Sequence, residues 1–302
     1  MVQERSARGE IDGGRPLRVA LPNKGRLSEA ALDLFERAGL KAQFRAERAL
    51  VASLGSHFQA IFVRAQDVAE FVADGAAELG ITGSDLVAES GRATVDLLDL
   101  GFGRCRLAVA VPDQSEVERS EDLPAGTRIA TSFPHLTSSF FEELGVPIQV
   151  APVSGAAEIA PHLGVADAIV DLVSTGSTLR VHRLREVGTI LHSSAHLIGN
   201  EKSYGDSEVR KRMDGLVASL ESVLRAERKR YLMANVLRER LDEVREVLPG
   251  ISGPTIVDVL DRGTWVAAHA VVDEDRVYET ISRLKELGAE GILVTRIERL
   301  TP

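Results

Sequence analysis

The chain has 302 residues, 44% of them hydrophobic and 27% charged, with a formal net charge of -9. That balance excludes disordered and collagen-like chains, and the length allows two or three domains. The acidic excess, with no Lys/Arg run interleaved with aromatics, argues against general nucleic-acid binding, so anionic ligands must be met by locally placed basic groups. Aromatics are only 4% of the chain, so Leu, Val, Ile and Ala must build the core. Cys105 is the single cysteine, which leaves no intrachain disulfide and no zinc cluster and fits a reducing cytosol. No apolar run approaches the roughly 18 residues of a membrane span. Residues 1–16 are polar and glycine-rich without an apolar h-region, the pattern of a frayed extension rather than a signal peptide. A cytoplasmic protein is expected.

From Leu17 strand and helix patterns alternate. Leu17–Leu21 is a short apolar strand, followed by the turn Pro22-Asn-Lys-Gly-Arg26 and a helix that Ser28 can cap, with Ala31, Leu34, Phe35 and Ala38 inward. Phe58–Val63 predicts a strand, Gln66–Asp74 a helix, Leu79–Thr82 a strand, and Gly83-Ser-Asp-Leu86 the opening of another helix. After a strand at Leu107–Val111 the pattern restarts with a strand at Thr127–Ala130, a helix over Thr137–Leu144, and a strand at Ile148–Pro152. Ser154–Glu158 then opens a helix, and Ala166–Asp171 is the next strand. Repeated strand–turn–helix units predict parallel sheets with ligands at the carboxyl ends of the strands. Thr189–His192 and Ala195–Gly199 read as paired extended segments that return the chain. Two α/β lobes with a hinge and a cleft result, the outline of periplasmic binding proteins. Asp206–Arg230 is a long charged helix with Val209, Met213, Leu216, Leu220 and Leu224 on one stripe. The remainder reads strand Tyr231–Val236, helix Arg240–Leu248, strand Thr255–Leu260, strand Trp265–Val272, helix Asp275–Leu287, strand Gly291–Ile297. That β-α-β-β-α-β order is the ferredoxin-like split unit. The domain reading is an extension at 1–16, lobe I at 17–107 and 194–226, lobe II at 108–193, and a regulatory domain at 227–302.

The most informative stretch is Ala168-Ile-Val-Asp-Leu-Val-Ser-Thr-Gly-Ser-Thr-Leu179. A buried strand delivers Asp171 at its carboxyl end. Ser174, Thr175, Gly176, Ser177 and Thr178 then supply hydroxyls and successive backbone N–H groups at a helix start, where Gly176 permits close approach. Such a turn holds a phosphate, with the acid placed to accept from sugar hydroxyls, so a phosphorylated sugar is the expected ligand. The competing reading is an ordinary strand-to-helix turn capped by Ser and Thr.

Four segments together resemble the ATP phosphoribosyltransferases of histidine biosynthesis in their long, self-regulated form. They are Leu21-Pro-Asn-Lys-Gly-Arg-Leu27, Leu79-Gly-Ile-Thr-Gly-Ser-Asp-Leu86, Leu100-Gly-Phe-Gly103 and Val165–Leu179. Arg128–Leu136 and Gly155-Ala-Ala-Glu158 are similar as well, and the likeness runs from about Leu17 to the C-terminus. It implies transfer of phosphoribosyl from phosphoribosyl pyrophosphate to N1 of the adenine of ATP, with Mg²⁺ accompanying the pyrophosphate. It also implies feedback inhibition by histidine and homo-oligomeric assembly from dimer to hexamer. One departure is visible: Leu179-Arg-Val-His-Arg-Leu184 carries His182 and Arg183 where many members have Asn and Gly.

On this reading the turn at Ser174–Thr178 grips the 5′-phosphate, and Asp171 with Glu158 holds the ribose hydroxyls. Lys24 and Arg26 neutralise pyrophosphate or triphosphate charge, with Gly25 between them in the same binding turn and Arg64 as a third cation. Gly83, Asp85, Gly101 and Gly103 shape the ATP side of the cleft. No dedicated metal ligands are expected, Mg²⁺ being carried by substrate phosphates. Asn235, Thr255 and Gly291 match positions near the family's effector pocket. Each residue also has a plain structural reading: a solvated turn for Lys24 and Arg26, first-turn charge for Glu158, a helix cap for Asp85. His192 and His196, four apart on extended backbone, read as structural, and His135 as a turn residue. Two other functions share the outline, a prephenate dehydratase-like enzyme and a cytoplasmic small-ligand sensor. The first has no use for the phosphate turn, and fold alone does not exclude the second.

Overall fold

In a computed structural model the described residues are 15–44, 49–251, 253–259 and 263–301. They divide into two compact units, residues 1–214 and 215–302.

In chain order the first unit begins with β1 (Leu17–Pro22), α1 (Arg26–Arg37), β2 (Ala42–Phe44), β3 (Val51–Leu54) and β4 (Phe58–Val63). There follow α2 (Val68–Ala73), β5 (Leu79–Gly83), α3 (Ser84–Ser90), β6 (Val95–Asp99) and β7 (Cys105–Pro112). Next come β8 (Thr127–Thr131), α4 (Pro134–Leu144), β9 (Ile148–Pro152), β10 (Ala168–Val173), α5 (Ser177–Val181), β11 (Leu184–Ser193), β12 (Ala195–Gly199) and α6 (Glu201–Gly205). The helix α7 (Ser207–Glu227) crosses the boundary between the units.

The strands form a seven-stranded sheet, β2-β3-β4-β1-β5-β12-β6, and a five-stranded sheet, β11-β7-β10-β8-β9. Each has a parallel trio, β4-β1-β5 and β10-β8-β9, flanked by antiparallel strands, so the sheets are mixed rather than purely parallel. Within the trios the short apolar runs of β1, β8 and β10 are covered on both faces: Val19, Ala20, Leu21, Ile129, Ala130, Ile169 and Val170 are all fully or almost fully buried, whereas β4 buries alternate residues and β9 is only partly buried. The chain passes between the sheets twice, through Leu100–Arg104 and at Ser194. The two-lobed α/β body is therefore present.

Several local expectations change. Ser28 does not cap α1; the helix starts at Arg26 behind a left-handed Gly25, and Ser28 is buried inside it. The stretch after Ser154 makes only a 3-10 turn, Ala157–Ile159. The segments Thr189–His192 and Ala195–Gly199 do not pair. β11 lies against β7 in the second sheet and β12 against β5 and β6 in the first, because this is where the chain recrosses. Strands β2, β3 and β6 carry too little apolar patterning to announce themselves, β2 and β6 being the sheet edges and β3 lying beside one.

In the second unit the buried stripe of α7 is Leu216, Leu220, Val223 and Ala226, with Val223 taking the place expected for Leu224. Then follow β13 (Lys229–Leu237), α8 (Leu241–Val247), β14 (Thr255–Asp258), β15 (Trp265–Asp273), α9 (Val277–Glu286) and β16 (Glu290–Arg296). The sheet order β14-β15-β13-β16, wholly antiparallel, is the ferredoxin-like arrangement. β14 ends at Asp258, and Leu260 lies outside the described residues. Leu232, Ala234, Val236, Val266, Ala268 and Ala270 alternate inward onto α8 and α9, giving this unit its own core. No helix among the described residues is long and apolar enough to cross a membrane.

Candidate active site

Strand directions decide what shares an edge. In the first sheet β1, β4 and β5 end together, so Lys24, Gly25, Arg26, Arg64 and Asp85 follow strand ends, and Gly83 closes β5, on one side. β6 runs antiparallel to β12, which runs antiparallel to β5; His196 pairs with both Thr82 and Asp99, which brings Gly101 and Gly103 to the same side. In the second sheet β10 ends where β7 begins, Val173 pairing with Arg106, and β8 and β9 end alongside it. The carboxyl edges of both sheets therefore lie at the crossovers, as open α/β folds place their ligands.

One cavity of about 320 Å³ joins the two edges. Arg26 lines it from the first sheet; Glu158, Asp171, Ser174, Thr175, Gly176, Ser177 and Thr178 line it from the second, with Leu172, Val173 and Leu179. Gly176 is left-handed at φ +72° and immediately precedes α5. The Thr175 and Ser177 hydroxyls lie 3.0 Å apart across the turn. Asp171 sits mid-strand, since β10 continues to Val173, and its carboxylate accepts from the N–H of Leu172 at 2.8 Å. Burial raises the Asp171 pKa above its ordinary value; the Leu172 bond opposes this, and the Glu158 charge adds to it. A buried carboxylate whose charged form is disfavoured, with a second carboxylate lining the same cavity, suits a site that receives cationic charge or hydroxyl donors. Mg²⁺ arriving on phosphate oxygens would meet these same two groups, a donor set that fits an ion bound by one or two carboxylates plus substrate phosphates.

Lys24 and Arg64 are exposed at the same edge but do not line the cavity. Asp85 is turned inward: it is 3% exposed, accepts a hydrogen bond from the Ser193 hydroxyl, and burial raises its pKa. The Ser193 hydroxyl also receives the Asp85 N–H at 3.1 Å. A Cβ on Gly83 would meet an Asp85 oxygen at 2.1 Å, so this glycine makes room for the carboxylate. Gly101 donates to Asp99 at 2.8 Å, and Asp99 also accepts from Ser194 at 2.8 Å. Burial works against ionisation of Asp99, but those two bonds and the charges of His196 and Arg104 bring its pKa below the ordinary value. Gly103 packs its backbone on Leu27. These residues build the crossover edge rather than the cavity wall.

The histidines separate as well. His196 pairs with Asp96 at 2.8 Å, while His192 lies on β11 in the other sheet, so the two do not form a pair. His135 is in the first turn of α4, where its N–H and that of Leu136 each donate to the Glu89 carboxylate at 2.9 Å. At the departure from the family pattern, the His182 carbonyl accepts from the His162 ring nitrogen at 2.7 Å. Arg183 holds φ +49°, a left-handed conformation that glycine adopts without steric penalty.

In the second unit Asn235 and Gly291 are neighbours: Gly291 is left-handed at φ +58°, and a Cβ there would approach the Asn235 amide to 3.0 Å. Thr255 is separate, opposite His269 on β15, whose ring meets the Tyr231 hydroxyl.

Residues 64–222 match the family described as HisG, ATP phosphoribosyltransferase, and residues 226–299 match the HisG C-terminal domain. A protein of Gemmatimonas aurantiaca named ATP phosphoribosyltransferase is 61% identical over 95% of this chain and 100% of its own length. One of the same name from Methanopyrus kandleri is 50% identical over 94% of this chain and 99% of its own length. A solved chain from the ATP phosphoribosyl transferase (HisG:HisZ) complex of Thermotoga maritima superposes with a TM-score of 0.61 at 27% identity, matching 98% of that chain but 69% of this one. Because the catalytic match and the C-terminal match fall on one polypeptide, and the relatives align along nearly its whole length, the chain belongs to the ATP phosphoribosyltransferase family of histidine biosynthesis, pentosyltransferases, in its long form.

Proposed function

We propose that this chain transfers phosphoribosyl from phosphoribosyl pyrophosphate to N1 of the adenine of ATP, releasing pyrophosphate, and that histidine inhibits it through the C-terminal unit. The observation that carries the reading is the cavity in which Arg26 of one sheet faces Asp171, Glu158 and the Ser174–Thr178 turn of the other. Adenine N1 brings its own lone pair. The N1–C1′ bond forms as the C1′–O bond breaks, and that electron pair leaves with pyrophosphate. No proton must move for this step, so positioning and charge stabilisation are what the protein supplies.

The turn seats the 5′-phosphate on its N–H groups and hydroxyls. Asp171 and Glu158 accept from the ribose hydroxyls, and their negative charge favours the positive character that grows at C1′. Arg26 offers a fork to the pyrophosphate, with Lys24 and Arg64 as further cations on the same edge. Mg²⁺, when bound, neutralises the leaving pyrophosphate. Gly25, Gly83, Asp85, Gly101 and Gly103 form the edge against which ATP lies. Asn235 and Gly291 are effector contacts, with Thr255 a more distant one. A cytoplasmic homo-oligomer completes the proposal.

Purified protein with ATP, phosphoribosyl pyrophosphate, Mg²⁺ and pyrophosphatase should form phosphoribosyl-ATP, followed by its absorbance, and histidine should suppress it. Product insensitive to histidine removes the effector assignment. No product from folded protein removes the catalytic one.

A further inference from the structure

The Ser174–Thr178 turn has two sides. Thr175, Gly176 and Leu179 line the cavity described above and also a second, rear cavity of about 420 Å³, whose walls include Arg106, Arg180 and Glu186. Backbone N–H groups converge on an anion only when the carbonyls of the same turn point the other way. Here two carbonyls are engaged by guanidinium groups of the rear cavity: Ser174 by Arg106 Nη1 at 3.4 Å, and Thr175 by Arg180 Nη1 at 3.5 Å.

Of the two arginines, Arg106 is the better anchored. It sits on β7 opposite Val173, the last residue of β10 before the turn. Its Nε and Nη2 donate to the two oxygens of Glu186 at 2.7 and 2.5 Å, a bidentate pairing that fixes the plane of the guanidinium. Both side chains are about 30% exposed, at 30% and 28%. Arg106 does not line the front cavity.

We infer that Arg106 is a positioning residue for the phosphate-binding turn: held in plane by Glu186, it draws the Ser174 carbonyl rearward and so aims the N–H groups of the turn at the 5′-phosphate of the substrate. The pair carries no net charge, so geometry rather than field is its contribution. The inference rests on the turn being the phosphate seat of phosphoribosyl pyrophosphate.

The test compares Arg106→Gln, Glu186→Gln and the double variant with the parent. Affinity for phosphoribosyl pyrophosphate with Mg²⁺ is measured by titration calorimetry, and KM for each substrate and kcat from steady-state rates. A slack seat loses ground-state binding, so each single variant should raise Kd and KM for phosphoribosyl pyrophosphate about tenfold, leaving KM for ATP and kcat within about threefold. The double variant, which leaves no charge unpaired and so keeps the fold, should resemble the singles rather than their sum. Glu186→Gln is the decisive case. If Glu186 acted only by repelling phosphate, its neutralisation would tighten binding; tighter or unchanged binding in Glu186→Gln overturns the inference. So does recovery of parental affinity in the double variant. Thr178→Val, in the turn itself, separates the two layers: if it leaves the affinity for phosphoribosyl pyrophosphate unchanged, the phosphate seat lies elsewhere and the underlying reading fails, whereas weakened binding in Thr178→Val with parental binding in Arg106→Gln rejects only the role of Arg106.

Discussion

At the scale of single residues, Asp171 shows how a site is maintained against stability. Its pKa is raised mainly by burial. The folded state therefore holds the proton more tightly than the unfolded chain, and stability is lost as pH rises above about 4. An amide does not titrate. Asp171→Asn is thus expected to melt about 2–4 °C above the parent at pH 7, with the difference closing towards pH 4. Activity should fall on the order of a hundredfold, since charge complementarity to the forming centre at C1′ is gone. Thermal melts at the two pH values with parallel rate measurements check this; a variant less stable than the parent at pH 7 would show that the carboxylate is not strained in the free enzyme. The sequence marked Asp171 by its place between a buried strand and the Ser174–Thr178 turn, and Glu158 through the likeness of Gly155-Ala-Ala-Glu158 to the family. It did not show that Asp85, of the same type at a similar strand-to-helix junction, turns inward to Ser193. Packing of the crossover made that choice.

Among the elements, the loop leaving α5 carries a local cost. Arg183 is left-handed, which costs a side-chain-bearing residue about 1–2 kcal/mol, whereas glycine there costs about 0.5–1 kcal/mol through the unfolded chain. Arg183→Gly should therefore stabilise the protein by up to about 1 kcal/mol, read from denaturant midpoints, and a clear loss of stability would mean that the Arg183 side chain makes compensating contacts. The neighbouring His182 is engaged through its carbonyl, which His162 ties to the segment that follows the Glu158 turn. Replacement of the family's residue thus leaves a backbone contact available. The strands β1, β5 and β10 were legible because two-sided burial writes a short unbroken apolar run, such as Val19–Leu21 and Ala168–Val170, whereas β4 buries alternate residues and β9 is only partly buried. β2, β3 and β6 were not legible, because short edge or near-edge strands bury one face at most. The helix expected after Ser154 shrank to a single 3-10 turn, its run of small residues Ser154–Ala157 offering no large apolar side chain to bury.

At the scale of the whole molecule, two units with separate cores predict separable functions. Val244, Leu248, Val266 and Leu284 close the core of the C-terminal unit without residues of the first. A chain ending after Arg228 is expected to keep transferase activity and to lose inhibition by histidine; rates measured with and without histidine decide, and inhibition that persists would place the effector elsewhere. The first unit holds every residue proposed for catalysis, brought to one place by two crossovers that also carry the bonds of Asp85 to Ser193 and of Asp99 to Ser194.

The sequence by itself determined the family, the alternation of strands and helices, the ferredoxin-like order of the second unit, and the turn from Ser174 to Thr178. The family was legible through the likeness of six short segments, and the rest is local: it depends on periodicity, on glycine placement and on short runs of residue types. Tertiary structure alone decided which strands pair across the crossovers, that Arg26 enters the cavity while Lys24 and Arg64 stay at its edge, and that Arg106 and Glu186 stand behind the turn. Those facts join residues separated by about 70 to 150 positions. The periodicity of a segment describes its own faces, not the distant segment that a strand direction brings against it.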